Sequence, residues 1–184
     1  GYFIYLKTVL EPKSEKAFTE MVQADQYFQQ DSIVLALKGS PGSFMGYEQI
    51  VENYGGTKGG NIARYKAGIS YYHLGDYASA VSMLEKFKSD DEILTAQKNG
   101  MIGNALVESK KEQEALPYYV KAAEGTDIEV LQTMYYTKAG KLAMQLGQNS
   151  EALKYFQTLA DKYPNAGDEV DKFIERLKYA TSGN

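Results

Sequence analysis

Cysteine and tryptophan are absent from this 184-residue sequence, and histidine occurs once, at His73. Without cysteine there can be no disulfide, thiolate metal site or cysteine nucleophile, and the absence suits a reducing cytosol and an oxidising envelope alike. One histidine gives no histidine metal cluster and no histidine pair for acid-base work. Basic excess is missing too: 20 Lys and Arg stand against 24 Asp and Glu, a net charge of −4, with an isoelectric point near 5.2. A nucleic-acid binder needs a positive field to neutralise phosphates, so nucleic acid is not an expected partner. No apolar run reaches the 18 or so residues that a membrane helix requires. Alternating β-branched runs bounded by turns are also lacking, whereas an apolar period of about 3.6 residues recurs along the chain, so the expected class is all-α.

Hydrophobic residues make up 43% and charged residues 24%, enough to bury one sizeable core in one domain. Tyr 16 and Phe 7 tilt the aromatics toward a residue that packs through its ring and keeps a polar tip. Ala17, Phe18, Met21, Tyr27 and Phe28 mark one face of a first helix between Pro12 and Gln30, with the proline in its opening turn. A short helix over Ile33 to Lys38 stops at Gly39, Gly39 to Ser43 reads as a loop, and Tyr47 to Tyr54 resumes a helix. Beyond the glycines of Gly55 to Gly60, read as a flexible connection, the period predicts paired helices at 61–74, 77–87, 92–109, 112–124, 128–146 and 150–163. Ser89 with Glu92, and Thr126 with Glu129, have capping-box spacing. A last amphipathic helix from Glu169 to Tyr179 precedes a flexible Thr181-Ser182-Gly183-Asn184 end.

The strongest internal signal is a repeat. Gly68, Gly103 and Gly140 each precede an alanine, Ala80, Ala115 and Ala152, by 12 positions (80 − 68, 115 − 103, 152 − 140). Small residues on both helices of a pair let the helices approach closely, and repetition lets each pair cover its neighbour's apolar face. The glycines are spaced by 35 and 37 residues (103 − 68, 140 − 103). On these residues, with Tyr71, Gly75, Tyr77 and Leu84, then Leu106 and Tyr119, then Tyr136, Leu146, Gly147, Phe156 and Pro164, the sequence resembles the tetratricopeptide repeat (TPR) family. Arg64, Asn99 and Tyr136 stand where that family has tryptophan, and Lys110 where a turn glycine is usual.

That resemblance implies a right-handed superhelical solenoid of antiparallel helix pairs with a C-terminal capping helix. The expected layout is an extension over 1–11, a degenerate helical repeat over 12–60, three TPR-like repeats over 61–164, and a cap and tail over 165–184. It further implies a peptide-binding concave face lined by the first helix of each pair, which maps to Tyr65, Ile69 and Tyr72, to Gln97 and Asn104, and to Thr137, Lys141 and Met144. The tyrosines could equally pack between repeats, whereas the amides of Gln97 and Asn104 suit a peptide backbone. The segments Gln26-Tyr27-Phe28, Asn53 to Lys58 and Tyr71 to Tyr77 are similar to Bacteroidetes-type membrane-anchored TPR proteins related to the ancillary subunit of the Sec translocon. This similarity implies a periplasm-facing protein of the inner membrane with a translocon or envelope-assembly partner, the alternative setting being the cytoplasm.

Gly1 to Lys7 is almost wholly apolar and aromatic before its lysine, and lacks an initiator methionine. It fits the interfacial end of a membrane helix whose anchor lies upstream, and it fits equally an amphipathic start to the first soluble helix. Gly55 to Gly60 has the outer glycine spacing of a phosphate cradle, but no strand precedes it and Lys58 stands before the second glycine instead of after it. Asp90-Asp91-Glu92 reads as an acidic helix start and not as a cation cage. No paired carboxylates sit in an apolar context that would raise a pKa, so neither an enzyme nor a cofactor is expected. The expected role is a protein-binding scaffold, with self-association into a homodimer as the alternative.

Overall fold

The computed structural model describes residues 1–164 and 167–182. Two compact units divide the chain, Gly1–Lys88 and Ser89–Asn184. In the first, α1 (Tyr2–Tyr5) passes through a π-helical turn (Leu6–Leu10) directly into α2 (Glu11–Gln29). Pro12 explains the widened turn: it has no N–H to donate to the carbonyl of Thr8, and its ring would clash with that carbonyl in a regular α-helix. The unit continues with α3 (Ile33–Lys38), α4 (Tyr47–Tyr54), α5 (Lys58–His73) and α6 (Tyr77–Lys86).

Between α3 and α4 the expected loop is a minimal antiparallel hairpin, β1 (Gly39–Ser40) and β2 (Phe44–Met45), with Gly39 opposite Met45. Gly39 turns the chain with φ +73°, and a side chain on either Gly39 or Gly46 would collide with the backbone of the other. Ala17, Met21, Ala24, Leu37, Tyr47, Ile50, Ala63 and Ala67 form the core of this unit.

The glycine run is not the flexible connection its composition suggested. Lys58, Gly59 and Gly60 open α5, with Thr57 accepting a hydrogen bond from the Gly60 amide at 3.1 Å. Both glycines are buried because α5 starts pressed against its neighbours. A Cβ on Gly59 would stand 2.5 Å from the Ser14 carbonyl oxygen, and one on Gly60 would collide with the Tyr54 backbone. The Gly59 amide instead donates to Ser14 Oγ at 2.9 Å. Close approach, and not freedom, is what glycine provides here.

The second unit holds α7 (Glu92–Glu108), α8 (Glu112–Glu124), α9 (Glu129–Gln145), α10 (Asn149–Lys162) and α11 (Asp168–Ser182), each packed on the next. The caps differ from the expected boxes. Asp91 caps α7 by accepting from the Leu94 amide at 2.9 Å, and Ser89 accepts from the Asp91 amide one step earlier. Thr126 likewise accepts from Ile128, outside α9, and not from an amide of the first turn. α11 runs past Tyr179 through Thr181, whose hydroxyl donates to the Leu177 carbonyl at 2.9 Å. Gly183 and Asn184 of the expected flexible end, and Asn165 and Ala166, lie outside the described residues.

The repeat spacing has a direct packing meaning. Ala80, Ala115 and Ala152 are wholly buried. A Cβ on Gly68 would stand 2.7 Å from Leu84, on Gly103 2.7 Å from the Tyr119 ring, and on Gly140 2.5 Å from the Phe156 ring. All three partners follow their glycine by 16 positions (84 − 68, 119 − 103, 156 − 140). Each pair is thus closed by a large residue of the second helix seated on a glycine of the first, one turn beyond the alanine.

Candidate functional site

Within the first unit, α2 and α5 border a cleft of about 280 Å³ lined by Asp25, Phe28, Tyr47, Tyr65, Lys66 and Ile69. Its polar centre is an ion pair: Lys66 Nζ donates to Asp25 Oδ1 and Oδ2 at 2.7 and 2.6 Å. The Tyr47 hydroxyl donates to the same carboxylate at 2.6 Å. Burial, aided by the Asp25 hydrogen bond and charge, raises the Tyr47 pKa well above its ordinary value. Two of the expected groove residues, Tyr65 and Ile69, line this cleft. The Tyr65 ring also stacks at a tilt on Phe87, centroids 4.8 Å apart, and burial raises its pKa. Tyr72 lies near the end of α5, where its ring meets His73 and Tyr77 at 6.1 and 5.6 Å.

In the second unit Gln97 is exposed on α7, and Thr137 is half-buried on α9. Asn104 sits at a junction of three helices. Its Oδ1 accepts from the Tyr119 hydroxyl of α8 at 2.9 Å and from Lys138 Nζ of α9 at 2.7 Å. Lys138 Nζ also lies 5.4 Å from the Tyr119 ring centre. Burial lowers the Lys138 pKa, because the charged form is the one that loses hydration. Lys141 and Met144 instead border a second cleft, of about 480 Å³, with Gln145, Phe173, Arg176 and Leu177. There Lys141 Nζ pairs with Glu169 at 2.9 Å and lies 5.3 Å from the Phe173 ring centre. Its ammonium is thereby turned toward α11.

Sequence reasoning missed Lys66 and Lys138, the two cations nearest the polar centres. A signal was available: each stands in a Lys-Ala-Gly triplet, Lys66-Ala67-Gly68 and Lys138-Ala139-Gly140, ending on a repeat glycine. Asp25 and Tyr47 carried no such signal, since their meeting depends on the turn-rich connection between α2 and α4. Among the described residues no group of three or more His, Asp or Glu could hold a metal ion, and no helix is long and apolar enough to cross a membrane.

The tetratricopeptide repeat family model matches residues 63–91 and 136–166. No curated protein matches the chain in sequence. Among solved structures, YrrB, described as a TPR protein with an unusual peptide-binding site, superposes with a TM-score of 0.67 at 20% identity, over 97% of this chain and 84% of that one. A structure of MamA gives 0.61 at 15% identity, over 86% of this chain and 94% of that one. A second MamA structure gives 0.63 at 15%, over 91% and 89%. The fold is therefore the all-α helix-pair solenoid of the tetratricopeptide type.

Proposed function

We propose that this chain is a non-catalytic interaction scaffold, which binds an extended peptide or protein segment along the first helices of its pairs. The observation that carries the reading is Asn104. Its carbonyl oxygen is committed to Tyr119 and Lys138 within the fold, while its amide N–H groups remain for a backbone carbonyl of a guest. The peptide-binding site named for YrrB supports the same reading.

The setting we propose is the bacterial envelope, with the N-terminal extension over 1–11 at the inner membrane, the repeats in the periplasm, and secretion or envelope assembly as the process served. Tyr2, Phe3, Ile4 and Tyr5 support it: at about 100° per residue they point to all sides of a helix, and every one is at least half exposed. The resemblance to translocon-associated proteins supports it as well. Peptide pull-down from envelope extract tests the scaffold reading, with Asn104→Ala and Tyr72→Ala as controls. Specific capture that falls with these variants is expected, and unchanged capture by both sinks the groove assignment.

Self-association is a second reading, favoured by the exposed apolar residues Val130 and Met134, one turn apart on α9. Sedimentation showing a concentration-independent monomer would remove it.

A further inference from the structure

The N-terminal extension carries a packing face that the first unit leaves uncovered. Tyr2, Leu6, Leu10 and Ser14 follow one another in steps of four (6 − 2, 10 − 6, 14 − 10) and line one wall of a cleft of about 530 Å³, with Thr57 and Lys58 of the α5 start on another. At Ser14 this stripe passes beneath α5, whose Gly59 amide donates to Ser14 Oγ at 2.9 Å, and farther on Ala17, Met21 and Ala24 continue it inside the core. Upstream of Ser14 the cover stops: Leu10 and Leu6 are half-buried, and Tyr2 is 76% exposed.

The π-helical turn keeps the stripe in line. Twelve residues of regular α-helix turn about 120° beyond whole turns, which would carry Tyr2 to a different side from Ser14. Over Leu6–Leu10 the helix holds one extra residue, the Glu11 amide reaching back five positions to the Leu6 carbonyl, and this takes back about 100° of that rotation. Tyr2 and Leu6 thereby join the side of Leu10 and Ser14, while Phe3 and Ile4, comparably apolar and exposed, do not line the cleft. An apolar stripe at helical spacing beside an open cleft receives the apolar face of another helix.

The charges select which helix. Glu11 and Glu15 line the same cleft four residues apart, a like-charge pair that is unfavourable on the free helix face. Neither forms an ion pair with any described residue. Lys58, the one basic residue among the described residues lining the cleft, bridges neither of them. A guest bearing basic side chains relieves the repulsion, and one bearing carboxylates adds to it.

We infer that the cleft between the extension and the start of α5 docks a basic amphipathic helix of a partner protein, with Leu6 and Leu10 receiving its apolar side chains and Glu11 and Glu15 its lysines or arginines. A bilayer would take Phe3 and Ile4 as readily as Leu6, whereas a helix laid in the cleft takes the stripe alone. None of the expected concave-face residues lines this cleft, so the surface is additional to that of the scaffold reading, and each stands on its own test.

The test uses the full chain and two fluorescein-labelled amphipathic peptides, Leu-Lys-Lys-Leu-Leu-Lys-Lys-Leu-Leu-Lys-Lys-Leu and its counterpart with glutamate for lysine, compared by fluorescence anisotropy. The lysine peptide is expected to bind the wild type about three-fold or more tighter, the worth of two exposed ion pairs. Leu6→Gln combined with Leu10→Gln should weaken its binding roughly ten-fold or more, while Phe3→Gln combined with Ile4→Gln should leave it unchanged. Glu11→Gln with Glu15→Gln should remove the lysine preference, whereas Asp171→Asn with Glu175→Gln, the same charge change at exposed positions of α11, should not. Binding of neither peptide, equal binding of both by the wild type, or a loss through Phe3 and Ile4 as large as through Leu6 and Leu10 would overturn the proposal. A preference lost equally through Asp171 and Glu175 would overturn it too, by assigning it to the overall charge.

Discussion

The ring of Tyr119 lies over Gly103 so closely that a Cβ on the glycine would stand 2.7 Å from it, and the hydroxyl of the same tyrosine donates to Asn104, one residue along. Helix-pair closure and the polar centre of the second unit are therefore fixed by one side chain. Gly103→Ala should force Tyr119 aside, costing about 1–3 kcal/mol of stability, and Gly140→Ala should do the same through Phe156. Gly56→Ala, where an added Cβ meets nothing within 4 Å, is the control and should be near neutral. Chemical denaturation of the three variants checks this, and equal effects at Gly56 and Gly103 would contradict the packing account.

Lys110 is the turn residue that departs from the repeat pattern, and it takes the backbone conformation that glycine takes elsewhere. Its φ is +60°, beside +78° at Gly75 and +74° at Gly147. The turns share their hydrogen bonds: Asp76 to Tyr71, Lys111 to Leu106 and Gln148 to Ala143, each amide reaching back five residues. Lys110→Gly should raise stability by about 1 kcal/mol by relieving the side chain of a left-handed conformation, whereas Gly147→Ala should lower it. A melting temperature that falls in Lys110→Gly would refute this.

Gln132 is 5% exposed and makes three hydrogen bonds. Its Nε2 donates to the carbonyls of Ala123 and Thr126 at 3.1 and 2.6 Å, and its Oε1 accepts from the Tyr163 hydroxyl at 2.7 Å. Gln132→Leu leaves those carbonyls and that hydroxyl without their partner, at an expected cost of about 2–4 kcal/mol from unmade buried hydrogen bonds. Tyr163→Phe removes only one of the three and should cost less. Urea unfolding of both variants measures the order, and the reverse order would contradict the assignment.

Alkali should weaken the first unit. Tyr47 and Tyr71 both have raised pKa values, from burial first and then from the hydrogen bonds to Asp25 and Glu48. A raised folded-state value means that their contribution is fully present below the unfolded-state value of 10.0 and is lost as pH rises through the higher folded value. Lys138 has the opposite sign. Its lowered value gives a penalty present at neutral pH that fades as pH rises toward 10.5. Thermal melts from pH 8 to 12 should therefore show a decline beginning above pH 10, shallower in Tyr47→Phe. A decline of equal steepness in that variant would count against Tyr47 as its source.

Much of the fold was legible because its signals are local. The 3.6-residue period located α5 through α10 to within a few residues, and the glycine-to-alanine spacing found the close contacts of the pairs. The glycines at Gly59 and Gly60 misled because composition does not distinguish freedom from close approach; only the neighbouring backbones of Ser14 and Tyr54 decide it. The caps misled for a similar reason, since Asp91 competes with Ser89 for the same helix start and only geometry chooses between them. The clusters around Lys66 and Lys138 depend on contacts 41 and 34 residues apart in sequence; the repeat period brings such helices together, but which side chains meet across them is settled only by packing.

Site-directed photocrosslinking tests the scaffold role most directly. A photoreactive phenylalanine analogue is placed at Gln97, exposed on the first helix of a pair, or at Lys154, exposed on a second helix, in the full chain expressed in a bacterial envelope. The account predicts discrete protein adducts from position 97 that are absent from position 154 and that weaken when Asn104→Ala is added. Adducts of equal yield from both positions, or adducts at 97 indifferent to Asn104→Ala, would contradict it.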